Sequence, residues 1–346
     1  MSHDLLWSDY DYSSIPFNEI TSLGSINMIN DDLFNVSWIL GRYCNYACSY
    51  CWPHAHTNKK DHTPLEVCYN TIDEIKRQAR GNGFNSFFFS LSGGEPTFHP
   101  HYLDILKYLA NDIENTNYTA IHMTSNCSRK IKWFKEYVEI AKLFRRASIT
   151  ASMHREYLDT NEKMQEFADK LLLCQDHGVN TTINIVMVPE YFDELWHKAM
   201  FFHEQRLNVT IKPMRPPLGG TFVDYTEEML QKIQNGMPQR NYIINNNTQH
   251  FQIELTGRGG SKWYVDQAER LNTFGFNHFK NWYCNAGYQG IVIKKDKVHR
   301  SYGCKEQLLG TLQDGFELFK KPTLCVTENC VISTDTKIPK HRVMYK

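Results

Sequence analysis

Neither sign of charge prevails in this 346-residue chain, where 38 lysines and arginines balance 38 aspartates and glutamates. Without a basic field there is no electrostatic footprint for nucleic acid, and without an acidic excess there is no solvating tail. Long apolar runs are missing too. No stretch approaches the roughly 20 apolar residues of a membrane-spanning helix. The first lysine or arginine is Arg42, so the N-terminus lacks the charged opening of a signal peptide. These absences point to a cytoplasmic protein whose partners are neither nucleic acid nor membrane. Internal repeats and long low-complexity tracts are also lacking. Hydrophobic content of 41% suits a globular core, and the length suits one large domain plus a small one.

Cysteine, by contrast, is plentiful. Ten in such a chain point to metal or redox chemistry rather than disulfides. Cys68, Ile72 and Ile75 follow a helical stripe, as do Phe167, Leu171 and Cys174, so Cys68 and Cys174 read as core residues. Cys44, Cys48 and Cys51 lie in one short loop, with gaps of three and two residues between them. A loop of that spacing can place thiolates on three corners of a cubane iron–sulfur cluster and leave the fourth iron without a protein ligand. An open iron suits a cluster that binds a small molecule and hands it an electron. A structural zinc site is the alternative; it needs four ligands, of which His54 or His56 could supply one.

Strand-like and helix-like segments alternate along the chain. Periodicity predicts strands over 36–40, 86–92, 119–125, 147–152, 181–188 and 208–214. Between them it predicts helices over 64–80, 101–114, 131–143, 160–177 and 190–204. Such alternation argues for parallel βαβ units, whose right-handed crossovers collect the strand C-termini on one face. Residues 1–34 are polar and aromatic with little periodicity and read as an irregular extension. After Met214-Arg215-Pro216-Pro217 the pattern is lost, leaving a short helix near 225–235 and a polar stretch, Asn245-Asn246-Asn247. Arg258, set among Gly257, Gly259 and Gly260, could cradle an anion or sit in a plain surface turn.

The three-cysteine loop leaves the first predicted strand, and the second ends in Gly93-Gly94-Glu95-Pro96. Two glycines let backbone approach a ligand closely, and Glu95 with exposed carbonyls can accept bonds from an ammonium group. Thr124-Ser125-Asn126 closes the third strand and Ser152-Met153-His154 the fourth. Appearing in this order at successive strand ends, these motifs resemble the radical S-adenosylmethionine (radical SAM) superfamily over residues 35–215. The resemblance implies an α/β fold, a partial (β/α)6 TIM-like barrel open on one side. It implies that Cys44, Cys48 and Cys51 ligate a [4Fe-4S] cluster that binds S-adenosylmethionine. Tyr50 then lies against the adenine, and Gly93, Gly94, Glu95 and Pro96 hold the methionyl ammonium. Asn126 and Ser152 meet ribose or carboxylate, and His154 and Arg155 meet the carboxylate or the substrate. Asn184 marks the fifth strand, whose backbone commonly meets the adenine. Lys212 and Arg215 could grip an anionic substrate.

Cys284, Cys304, Cys325 and Cys330 form a second set in the last quarter of the chain. Cys284 reads as a ligand before a β-hairpin, with Ile291 and Ile293 alternating and Asp296 at the turn. Cys304 follows at the end of the return strand, and Cys325 and Cys330 bracket a short loop before a basic tail. This arrangement resembles the SPASM/twitch extensions of radical SAM enzymes, in the smaller twitch form, and implies a second, auxiliary [4Fe-4S] cluster in a small α+β extension. It departs from that pattern in the missing hairpin glycine, the long gap from Cys284 to Cys304, and Ile332 where a further cysteine is usual. Four structural zinc ligands are the alternative. The implied division is an N-terminal extension (1–34), the radical SAM core (35–216), a linker or substrate-side region (217–283) and an auxiliary-cluster domain (284–346).

The resemblance supplies the reaction. Reductive cleavage of S-adenosylmethionine yields a 5′-deoxyadenosyl radical, which takes a hydrogen atom from an unactivated carbon of a small polar metabolite. An auxiliary cluster makes net oxidation or another tailoring step accessible, with an electron donor such as flavodoxin or ferredoxin. Cys127, after the third strand, is a candidate hydrogen donor if the step is an epimerisation. A maturase that crosslinks or epimerises a ribosomally made peptide is the second reading, although 34 residues before the barrel leave no room for the usual leader-binding domain. A non-catalytic zinc protein is the third.

Overall fold

The structure is a computed structural model that describes residues 12–30, 32–51, 56–112, 118–214, 223–237, 252–265, 268–304 and 307–342. His54, Arg215 and Asn245-Asn246-Asn247 lie outside the described residues. Strand β1 (Ile20–Ser25) and helix α1 (Ile26–Asn30) come first. A run of alternating elements follows: β2 (Leu33–Ile39), α2 (Leu65–Gly81), β3 (Ser86–Ser92), α3 (Tyr102–Ala110), β4 (Tyr118–Ser125), α4 (Ile131–Ala141) and β5 (Arg146–Met153). It ends with α5 (Asn161–Asp176), β6 (Asn180–Met187), α6 (Phe192–Glu204) and β7 (Val209–Pro213). Beyond it stand α7 (Glu227–Asn235), β8 (Ile253–Gly257), β9 (Lys262–Val265), α8 (Ala268–Thr273), β10 (Tyr283–Cys284) and β11 (Gly290–Lys294). The chain closes with β12 (Lys297–His299), β13 (Leu308–Thr311), β14 (Gly315–Phe316), β15 (Thr323–Leu324), α9 (Ser333–Thr336) and β16 (Lys340–His341).

Strands β2 to β7 pair in sequence order, all parallel, as the central part of a ten-stranded sheet. This is the α/β arrangement of a radical-SAM-type partial barrel, and the five crossover helices cover one of its faces. Alternation explains why. Phe87, Phe89 and Leu91 on β3, and Ile149 and Ala151 on β5, are buried in one core cluster with Ile72, Ile75 and Cys68 of α2 and Leu171 and Cys174 of α5. The other face carries Ser90, Ser92, Thr124, Ser148, Thr150, Ser152, Thr182 and Asn184, all only partly buried. A parallel sheet normally buries apolar residues on both sides. Here the face turned away from the helices is lined by hydroxyl and amide groups, as a polar cleft requires. Local signals end the helices: Thr160 caps α5 by accepting from the Lys163 N–H at 3.3 Å, and α2 stops at Asn82-Gly83, where Gly83 takes φ +94°.

The C-terminal part contributes strands to both sheets. The hairpin β11–β12 turns at Lys295 and Asp296 as expected, but β11 pairs parallel with β2 and so joins the barrel sheet. Ile291, Val292 and Ile293 are consecutively buried rather than alternating, because β11 is covered on both faces. β12, β13 and β14 extend that edge. Cys304 lies beyond β12, past a Tyr302-Gly303 bend, and not at the strand's end. The N-terminal segment is not irregular throughout, since β1 is the fourth strand of a second, antiparallel sheet ordered β15-β10-β16-β1-β8-β9. Arg258 is exposed in the turn between β8 and β9.

Gln78 ties the returning chain to the barrel. It is buried on α2, donates to the Phe316 carbonyl at 2.7 Å and accepts from the Leu318 N–H at 2.7 Å. Gln78→Leu leaves both backbone groups buried without partners, each worth about 1–3 kcal/mol. Urea unfolding of the full-length variant is expected to show a loss of about 2 kcal/mol or more; unchanged stability would mean that the 316–318 segment is not held through this side chain.

Candidate active site and a second cysteine cavity

The cysteine loop continues the ladder between β2 and β3. The Leu40 N–H donates to Ser92 O at 3.0 Å, the Gly94 N–H to Gly41 O at 3.1 Å and the Glu95 N–H to Tyr43 O at 2.7 Å. A Cβ on Gly94 would collide with the carbonyl oxygens of Arg42 and Tyr43, and one on Gly93 with that of Gly41. Glycine is needed here because the cysteine loop itself lies against this turn, a different reason from the close ligand approach expected of the motif. Further bonds fix the loop: the Cys44 N–H donates to Thr57 O at 3.1 Å and the Tyr46 N–H points at Cys44 Sγ at 3.4 Å.

Glu95, expected to accept an ammonium group, is 2% exposed and already engaged. Its carboxylate accepts from the Thr97 N–H and hydroxyl, the Ser125 hydroxyl and the Asn126 N–H, at 2.6 to 3.1 Å. Burial raises its pKa above the usual carboxylate value, opposed by these four donors. The side chain therefore joins the ends of β3 and β4, and Pro96 begins a buried 3-10 turn beside it. Asn126 extends the tie, donating to Asn45 Oδ1 in the cysteine loop at 3.1 Å.

The residues after β5 grip the other side of the loop. The Ala47 N–H donates to the Tyr157 hydroxyl at 2.7 Å, the Ser49 N–H to the Glu156 carboxylate at 3.1 Å, and Tyr46 stacks on Tyr157 with centroids 3.6 Å apart. His154 Nδ1 faces the Tyr50 hydroxyl at 2.6 Å and Cys48 Sγ at 3.2 Å. Burial lowers the His154 pKa to about 4, so the imidazole is neutral near pH 7. Burial, with the nearby Glu156 charge, pushes the free Cys48 thiol up to about 12. Thiol ligands must lose their protons to bind metal, so loading this loop releases them.

Beside the loop lies a cavity of about 190 Å³, bounded by Tyr50, Met153, Arg155, Val186, Val188 and Tyr191 among others. Arg155 lies over the Tyr191 ring at 3.6 Å and donates to Glu194 at 2.7 Å, so its charge is already paired. Ser152 and Asn184 are register partners on the polar face of β5 and β6. Val186 and Val188 continue the Asn184 face of the chain into the cavity, and Lys212 is the register partner of Val186. Cys127, by contrast, is 1% exposed inside the main core at φ +53°. Its thiol lies in the apolar core and does not line that cavity. Residues that the motifs did not single out include Asn45, Glu156, Tyr157 and Tyr191. For Asn45, Glu156 and Tyr157 the trace in the sequence is their closeness to Cys44 and His154, and Tyr191 leaves none.

Cys284, Cys304, Cys325 and Cys330 line a second cavity of about 50 Å³. They arrive from four places: β10, the bend after β12, the end of β15 and the turn before α9. The Cys325 N–H donates to Trp282 O at 2.7 Å and the Cys330 N–H to Asn277 O at 2.8 Å. Burial pushes the Cys330 thiol up to about 11, with the Lys340 charge opposing it. Asp335 accepts from the N–H groups of Tyr302 and Gly303 at 3.0 and 2.7 Å. Tyr302 connects the two regions, because its side chain bonds to Ser37 and Ser92 at the ends of β2 and β3. All ten cysteines are free thiols. Among the described residues no three His, Cys, Asp or Glu side chains are gathered closely enough to hold a single metal ion.

Residues 38–202 match the Radical SAM superfamily. Solved structures of anSMEcpe share the fold. One, with bound AdoMet and a Kp18Cys peptide, is 15% identical with a TM-score of 0.53, covering 82% of this chain and 79% of that one. Another, a histidine-tagged form with bound AdoMet, is 16% identical with a TM-score of 0.52 over the same shares of 82% and 79%. No curated protein matches the chain by sequence.

Glu95→Gln tests the tie between strand ends. The amide keeps the shape but presents a donor to one of the N–H groups of Thr97 or Asn126, a mismatch worth about 1–3 kcal/mol. Denaturant unfolding is expected to show that loss; a variant as stable as the parent would mean the carboxylate is free for another partner.

Proposed function

Starting from residues 38–202 as a radical SAM domain, we propose that the chain is an oxidoreductase or tailoring enzyme that abstracts a hydrogen atom from a small polar metabolite. The observation that carries this reading is the three-cysteine loop, held by backbone bonds across the C-terminal ends of β2 and β3. The donor set fits the group that the fold implies. Cys44, Cys48 and Cys51 are free thiols on one loop, able to hold a [4Fe-4S] cluster by three irons. When bound there, the reduced cluster and S-adenosylmethionine supply a 5′-deoxyadenosyl radical that can take a hydrogen atom from carbon.

The chain's own residues position and enclose. Tyr50, with Val186 and Val188, gives the cavity apolar walls suited to an adenine ring, and its hydroxyl is steadied by neutral His154. Backbone groups of Gly93 to Pro96, with Ser152 and Asn184, remain the candidates for the polar part of the cofactor. The Glu95 carboxylate ties β4 to the turn that follows β3, with three donors on Oε1 and one on Oε2. The hydroxyl- and amide-lined face of the sheet supports a polar substrate, with Lys212 at its far edge. Cys284, Cys304, Cys325 and Cys330 would hold an auxiliary [4Fe-4S] cluster, which makes net oxidation accessible, and an external donor of flavodoxin or ferredoxin type would deliver electrons. The peptide present with anSMEcpe favours a second reading, a peptide-modifying enzyme of the same chemistry.

Anaerobic reconstitution tests the reading. About eight irons per chain are expected, falling to about four when Cys284 and Cys304 become alanine. With dithionite, 5′-deoxyadenosine should form only when Cys44, Cys48 and Cys51 are intact. About four irons in the parent protein would remove the auxiliary cluster, and no sulfide with no nucleoside would leave a zinc-binding protein. Deuterium appearing in the nucleoside from a labelled metabolite, but not from a labelled peptide, would decide between the substrates.

A further inference from the structure

The sequence places Lys340 in a basic tail, yet its side chain is one of the most deeply buried in the molecule at 1% exposed. It stands in β16 directly opposite Cys284 of β10, and it lines the same cavity as Cys284, Cys304, Cys325 and Cys330. Its Nζ donates to the carbonyl oxygens of Asp335 at 2.6 Å, Ile338 at 2.9 Å and Thr336 at 3.3 Å, and lies 5.0 Å from the Phe279 ring centroid. These bonds use all three ammonium protons on neutral acceptors. The Asp335 carboxylate is turned to the N–H groups of Tyr302 and Gly303.

A buried ammonium with neutral partners is costly unless an anion stands near it. The Asp335 carboxylate, shared with its own N–H donors, supplies part of that charge, and protonated thiols add none. Four metal-bound thiolates would, since four cysteine thiolates around a [4Fe-4S] core make a net anion. We infer that Lys340 is the built-in counter-charge of an anionic metal–thiolate group held by Cys284, Cys304, Cys325 and Cys330. The inference rests on the reading of those cysteines as a metal site, and adds to it the requirement that the group be anionic. Lys340 is a positioning residue that acts through charge. Its bonds to the carbonyls around α9 also give it a structural alternative, a plain cap on that turn.

Lys340→Gln separates the two roles, because the amide keeps two N–H donors for the three carbonyls and removes the charge. The full-length protein is compared after anaerobic iron–sulfide reconstitution and after stripping by a chelator, by thermal unfolding and by the rate of metal loss. In the stripped form Lys340→Gln should unfold at or above the parent's temperature. In the loaded form it should unfold below the parent and lose metal from the second site at least tenfold faster, while Lys340→Arg restores the parent's behaviour. Equal destabilisation of both forms would make Lys340 a cap and overturn the assignment, as would failure of the stripped variant to fold. Equal metal content in the parent and in a Cys284→Ala, Cys304→Ala variant would instead overturn the metal site itself, and Lys340's role with it.

Discussion

Three backbone hydrogen bonds between residues 40–43 and 92–95 constrain everything else at the candidate active site. They extend the parallel β2–β3 ladder beyond its last regular pair, so the cysteine loop begins as a continuation of sheet. A loop anchored in this way starts from a rigid edge, and Cys44 follows immediately after the last anchored carbonyl, that of Tyr43. The absence of side chains at Gly93 and Gly94 permits the approach. The Glu95 carboxylate then transmits the position of this turn to β4, and Asn126 returns it to the loop through Asn45. Tyr157 and Glu156 close the ring from β5.

The two cavities solve opposite electrostatic problems. Around the first, Arg155 is paired with Glu194, His154 is neutral through burial and Glu95 is satisfied by four donors, while the Glu156 carboxylate stands charged beside Cys48. Around the second, a buried ammonium and a buried carboxylate are both retained. Such groups survive in a low-dielectric interior only when partners satisfy them.

Much of the barrel was legible in the sequence, because apolar runs bounded by glycine turns leave little choice. The strand predicted over 86–92 coincides with β3, and the helical stripes through Cys68 and Cys174 put both thiols in the core. The motif positions were legible, but what their side chains do was less so. Glu95 stands where its motif places it, yet its carboxylate serves Thr97, Ser125 and Asn126, contacts that no local pattern encodes. β1 was missed because Ile20-Thr-Ser-Leu-Gly-Ser25 shows only a weak strand pattern and gains its place by pairing with β8 and β16, which are distant in sequence. β11 misled for the reverse reason: its alternation suggested one wet face, but as an interior strand between β2 and β12 it is buried on both. Lys340 drew no attention in the sequence, because composition cannot show which strand lies opposite.

That β2–β11 pairing also bears on how the chain is made. β2 spans residues 33–39 and its neighbour β11 spans residues 290–294, so nearly the whole chain must be synthesised before the two can meet. Until then, one side of the strand that leads into the cysteine loop is an open hydrogen-bonding edge, carrying Phe34, Val36 and Trp38. Unpaired apolar edges are where other chains add on, and non-local pairings form late. The nascent protein therefore passes through a stage in which its barrel is built but unsealed. Assembly of the second cysteine cavity, whose first cysteine lies just before β11, belongs to the same late stage as the sealing of that edge.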